Sequence, residues 1–197
     1  MGPGGTEEQM MSGARADVGA GRGARLLLLL VLVGAAVSVS LGVYGRVHPP
    51  SGRAITTFGF PTMLDMKASL ATAGLALGVV QVLTALRMFG RIGHGPSPRA
   101  VTLTHRISGA AAVTLTLPVA FHCLWALGFG TSGPRVLVHS FAGCLFYGVF
   151  VTKMLALRAP GVPGWAVPLL GGTLFTVLVV TWLTSSLWFF TNGPIAY

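Results

Sequence analysis

Five apolar stretches, separated by short segments rich in proline, glycine and arginine, limit what this chain can fold into more than any other feature. They cover residues 26–44, 67–88, 102–127, 136–157 and 165–190. At about 1.5 Å of rise per residue, roughly 20 helical residues cross a hydrocarbon layer of about 30 Å, so each is long enough to span. Lipid offers no hydrogen bonds, and a spanning segment must therefore satisfy its own amides and carbonyls, which an α-helix does. Only 9% of the residues are charged, against about 25% in a soluble domain. These features predict an all-α, polytopic membrane bundle of five helices with no soluble domain.

The 13 basic residues outnumber the four acidic ones and give a net charge of +9. They flank the apolar stretches, as topology signals and headgroup contacts do, and do not point to nucleic acid. Arg15, Arg22, Arg25, Arg87, Arg91, Arg99, Arg106, Lys153 and Arg158 fall on one side of a five-span topology, and Arg46, Arg53, Lys67 and Arg135 on the other. The positive-inside rule then predicts a cytoplasmic N-terminus, an outside C-terminus and a place in the cell membrane. Residues 1–24 lack apolar periodicity and are expected to form a disordered cytoplasmic tail, leaving 25–197 as one transmembrane domain. The first stretch, with Arg22 and Arg25 before a leucine block, reads either as a retained helix or as a secretory signal.

Within the bundle, Gly74 and Gly78 show the spacing that lets helix backbones approach closely, and Pro118 is expected to bend the third helix. The dense turn signals between Gly128 and Arg135 predict that helices three and four lie side by side as an antiparallel hairpin. Asp65 and Lys67 are placed to pair with each other, and His48 and His94 fall in loops, where solvation is expected. Cys123 and Cys144, the two cysteines, both lie in apolar runs and indicate neither a disulfide framework nor a zinc site.

Ionisable side chains inside a membrane are costly and mark candidate sites. His122 and His139 lie at similar distances before and after the turn near residues 130 and 131, so antiparallel helices bring them to one depth. Two neutral imidazoles at one depth on neighbouring helices suit six-coordinate haem iron. Gly143, one turn after His139, would admit a flat macrocycle near the backbone. The alternative is that each histidine bonds a hydroxyl or carbonyl on a neighbouring helix and holds nothing. His105 precedes His122 by seventeen residues, which turns it about 100° away and sets it about 25 Å along the helix. A second haem there would need another ligand, and Met154 is the nearest one. A single haem b is therefore expected. His105 reads as an interfacial anchor, and Lys153 as a side chain that snorkels to headgroups. No nucleotide loop, Ser-His-Asp set or zinc-protease helix is present.

The runs His105-Arg106-Ile107-Ser108-Gly109, Leu117-Pro118-Val119-Ala120-Phe121-His122-Cys123-Leu124-Trp125, Val138-His139-Ser140 and Trp182-Leu183-Thr184-Ser185-Ser186-Leu187-Trp188 resemble an actinobacterial family of small membrane proteins of unknown function. More distantly, the histidines on helices three and four resemble those of the cytochrome b561 and ferric-reductase-like transmembrane domains. That likeness implies b-type haem and electron transfer. Those families usually hold two haems with ligands near one helix face, a pattern from which the seventeen-residue step departs.

The expectation is a bundle holding one haem between His122 and His139. It would relay electrons between a quinone or an extracytoplasmic redox protein and a partner, as an electron-transfer component of a membrane oxidoreductase. The rival is a cofactor-free scaffold or accessory subunit of a larger membrane complex, packing through Gly74 and Gly78. For the orientation, alkaline phosphatase fused after Tyr197 is expected to be active and a fluorescent protein fused there dark. The opposite pair of results would reverse the predicted topology.

Overall fold

The computed structural model describes residues 4–193, with side chains from residue 21 onward. Helix α1 (Gly4–Val47) begins inside the segment expected to be a disordered tail, most of whose side chains lie outside those described. Its membrane-length part is Gly21–Val47. Helix α2 (Met63–Met88) starts four residues before its expected boundary, because the Thr62 hydroxyl oxygen accepts from the Asp65 amide at 3.1 Å. The same hydroxyl donates to Asp65 Oδ2 at 2.7 Å. Asp65 is thus engaged in the helix cap, where a carboxylate also suits the positive end of the dipole. The expected pairing of Asp65 with Lys67 is replaced by this local bond.

Helix α3 (Arg99–Leu127) is α-helical to His122 and widens into a π turn over Cys123–Leu127. There the Trp125 and Ala126 carbonyls accept from the Ser51 and Gly52 amides at 3.1 and 3.0 Å. The segment after α1 is thereby fastened to the end of α3. His48, expected in solvent, instead stacks on Trp125 with ring centroids 4.5 Å apart, and its Nε2 is buried. Helix α4 (Pro134–Ala156) and helix α5 (Ala166–Asn192) complete the set, and α5 carries a second π turn at Leu183–Leu187. All five helices are long and apolar enough to cross a membrane, and the described residues contain no strand.

The packing order differs from the order along the chain. Helix α3 packs on α2, and α4 packs on α1 and α5. With α2 against α5 and the π turn of α3 against α1, the helices form a ring in the order α1, α4, α5, α2, α3. The backbones of helices α3 and α4 do not pack closely, contrary to the expected side-by-side hairpin, and the two helices meet through side chains. The short turn fixes their antiparallel sense, but contacts elsewhere decide their neighbours.

Close packing, not water exclusion, must hold such helices together, because lipid is as apolar as leucine. At the α1–α4 seam, a Cβ on Gly34 would collide with the Gly148 carbonyl and the Thr152 hydroxyl. One on Gly148 would strike the Gly34 carbonyl and Ser38. Thr152 Oγ1 also donates toward the Leu30 carbonyl at 3.3 Å. Gly74 and Gly78 face inward, onto Thr116 of α3 and onto Leu178 and Phe175 of α5. Polar ties cross other seams as well: Trp182 Nε1 donates to Thr72 Oγ1 at 2.9 Å, and the Tyr147 hydroxyl to the Thr116 carbonyl at 2.8 Å. Meanwhile Leu28, Leu29, Ile107, Phe141 and Leu169 point outward, as lipid-facing residues do.

Overpacking typically costs about 1–3 kcal/mol. Gly148→Val is therefore expected to lower the detergent-unfolding free energy by about that amount. Gly172→Ala, at a position where a Cβ would meet nothing within 4 Å, should leave it unchanged or raised. Equal responses would argue against the close α1–α4 seam.

Candidate cofactor cavity

The space between α3 and α4 is a cavity of about 330 Å³ to which all five helices contribute. That volume lies within the range of roughly 300–1,000 Å³ usual for small-molecule sites. Val119, Cys123 and Leu127 line it from α3, and His139, Gly143 and Tyr147 from α4. A second cavity of about 160 Å³ shares Lys67, Cys123, Val136, His139 and Ser185 with it, so the two adjoin. The second is bordered additionally by Arg135, Thr184 and Trp188 and lies at the end of the bundle where α2 and α4 begin.

His139 is oriented from α5. Its Nδ1 lies 3.2 Å from the Thr181 carbonyl and 3.2 Å from Thr184 Oγ1. A carbonyl only accepts, so Nδ1 carries the proton, and in the neutral ring Nε2 carries the lone pair. Metal-binding imidazoles are held this way, their second nitrogen donating to a carbonyl that fixes ring and tautomer. The π turn of α5 begins two residues past Thr181 and contains Thr184 and Ser185. Such turns are rare and frequent at functional sites. Gly143, one turn after His139, borders the same cavity, and a Cβ there would meet nothing within 4 Å.

His122 has similar bonding and a different outlook. Its Nδ1 is 2.7 Å from the Pro118 carbonyl, which again places the proton on Nδ1. The residue is only 1% exposed, and its Nε2 is buried with no partner. Yet His122 borders neither cavity, whereas its neighbour Cys123 borders both. One residue along a helix is about 100° around it, and that step separates the two outlooks. The structure therefore brings His139 and Gly143 to one space and leaves His122 beside it, with its lone pair turned elsewhere.

The other candidates border neither cavity. His105 Nδ1 contacts Thr84 Oγ1 at 2.8 Å, while Gln81 reaches both the His105 carbonyl and Ser108 Oγ, the latter at 2.7 Å. This knot joins α2 to α3. Lys153 extends toward α5, where its Nζ lies 3.8 Å from the position of a Cβ on Gly171. Met154 offers its carbonyl to Arg158 at 3.4 Å. Sequence reasoning did not identify Cys123, Lys67 or Arg135 as cavity residues. Cys123 was masked by its apolar surroundings, and the two cations by their nearness to helix ends.

A family of unknown function, DUF6529, matches residues 27–196. The chain belongs to it. No curated protein and no solved structure matches this DUF6529 chain. The match takes in all five spans apart from residues 21–26 of the membrane-length part of α1, and so includes every residue that borders the cavity.

Alanine exceeds glycine in helix propensity by up to about 1 kcal/mol. In cofactor-free protein, Gly143→Ala is accordingly expected to hold or raise thermal stability, since its methyl enters open space. A marked drop in melting temperature would show that the position is filled.

Proposed function

We propose that this DUF6529 member is a membrane-embedded, b-type haem protein that relays electrons, with His139 as an axial ligand and Gly143 admitting the ring. The observation that carries the reading is the His139 imidazole: it borders the cavity of about 330 Å³ while the Thr181 carbonyl holds its Nδ1 proton. Among the three intramembrane histidines, His139 is the one that borders this cavity, which supports it as the ligand of a haem that would have to widen the present space of about 330 Å³. The residues present do not fit simultaneous ligation by His139 and His122, because the second ring borders neither cavity. The loose resemblance to cytochrome b561 and ferric-reductase-like domains supports electron relay, and the distribution of basic residues supports a site in the outer half of the membrane.

When bound, haem would supply the redox step, and the chain's own residues would supply position and environment. Thr181 and Thr184 orient the ligand ring. Apolar walls such as Val119, Leu127 and Leu178 exclude water, and low polarity around a haem is one of the levers on its potential. The scaffold reading loses its proposed contact surface, because Gly74 and Gly78 are already buried against α3 and α5.

The test is spectroscopic. Protein purified in mild detergent from a haem-replete host should show a Soret band and dithionite-dependent α and β bands. His139→Ala should abolish the band, as should Gly143→Leu, which fills the cavity, while both variants elute as monodisperse species. A colourless wild-type preparation that unfolds cooperatively would refute the haem reading.

A further inference from the structure

The smaller cavity has a charge imbalance that haem ligation does not explain. Lys67 and Arg135 both border it, from the first two turns of α2 and the first turn of α4. Asp65 is the only carboxylate among residues 21–193, it is occupied in the Thr62 cap, and it borders neither cavity. Neither cation has a carboxylate partner among the described residues, and the ionisable group beside Lys67 is the Cys123 thiol. Arg135 is nevertheless held in place: its Nη1 donates to the Thr184 carbonyl at 2.6 Å, and its guanidinium carbon lies 4.1 Å from the centre of the Trp188 ring. Both contacts leave the other guanidinium nitrogens free to donate, and they order a side chain that would otherwise be mobile in the headgroup layer. Lys67 borders both cavities and so stands where one passes into the other.

Two cations at the end of a largely apolar cavity, with no carboxylate partner and with Lys67 beside the Cys123 thiol, are complementary to an amphipathic anion. We infer that Lys67 and Arg135 form a binding site for the carboxylate or phosphate head of a molecule whose apolar body occupies the α3–α4 cavity. The head would take charge-assisted hydrogen bonds from Arg135 and Lys67, and the body would displace nothing polar from walls such as Val119 and Leu127. A haem propionate and the head of an anionic lipid share this chemistry. The site rests on the cations and the cavity alone, and so does not depend on haem being the resident group.

Trp182 borders the larger cavity and Trp188 the smaller, which provides a direct signal. The probes are 9,10-dibromostearic acid, which quenches tryptophan on contact, and its methyl ester, titrated into the purified full chain in neutral detergent at pH 8. The acid should reach half-quenching at a concentration at least tenfold below that of the ester. Lys67→Met and Arg135→Met should each bring the ratio toward one, and Lys67→Arg should restore it. Trp182→Phe with Trp188→Phe should remove most of the saturable signal.

Parallel titrations compare haemin with its dimethyl ester and phosphatidylglycerol with phosphatidylcholine. Preference for haemin over its ester identifies propionate, and preference for phosphatidylglycerol identifies a lipid head. If no haem binds while the acid-to-ester ratio persists, the haem reading fails and the anion site stands. Equal quenching by acid and ester in the wild-type protein, or a ratio unchanged in both methionine variants that still melt cooperatively, would overturn the inference.

Discussion

Where α1 crosses α4, two helix backbones come close enough that neither Gly34 nor Gly148 could carry a side chain without displacing the other's carbonyl. In lipid, close approach of this kind substitutes for the hydrophobic drive that packs soluble helices. It binds α4 to α1, and α5 binds it on another side. Helix α3 is meanwhile drawn to α2 by Gly74 against Thr116 and by Gln81 against Ser108. With both helices committed to other partners, the shortest connection in the bundle joins two helices whose backbones do not pack closely and which meet through side chains. The cavity is the space this arrangement leaves.

The polar groups around that space are arranged economically. Backbone carbonyls, which accept and never donate, fix the protons of His139 and His122 on Nδ1 and leave Nε2 of each as the lone-pair atom. The π turns of α3 and α5 follow directly on His122 and on the turn that holds Thr181. Together they shape the end of the bundle where Arg135, Lys67 and His139 meet an otherwise apolar wall. In the proposed site two tasks would be separate: the cations at one end would recognise charge, and the imidazole further in would offer an electron pair.

The helices were legible because membrane spans need only length and low polarity, which are properties of local sequence. Boundaries shifted where a cap intervened, as Thr62 did for α2. The neighbours of each helix were not legible. A short turn between α3 and α4 argues for contact, but Gly34 and Gly148 lie 114 residues apart, and no local pattern pairs them. Depth was therefore easier to read than rotation. His139 and Gly143 were found as cavity residues because both lie on one face at one-turn spacing. His122 was placed at the same depth, but its facing depends on how α3 rolls against α2. Cys123 took the facing position for the same reason.

The central physical claim is that both imidazoles are held with the proton on Nδ1 and the lone pair on Nε2. Solid-state nitrogen NMR of cofactor-free protein labelled with 15N-histidine, in lipid, measures this directly when the two resonance sets are assigned through His122→Ala and His139→Ala. Both rings should show a protonated Nδ1 and an unprotonated Nε2. An Nε2–H tautomer at His139, the form that imidazole generally prefers in water, would mean that the Thr181 carbonyl does not hold the ring and that no lone pair faces the cavity.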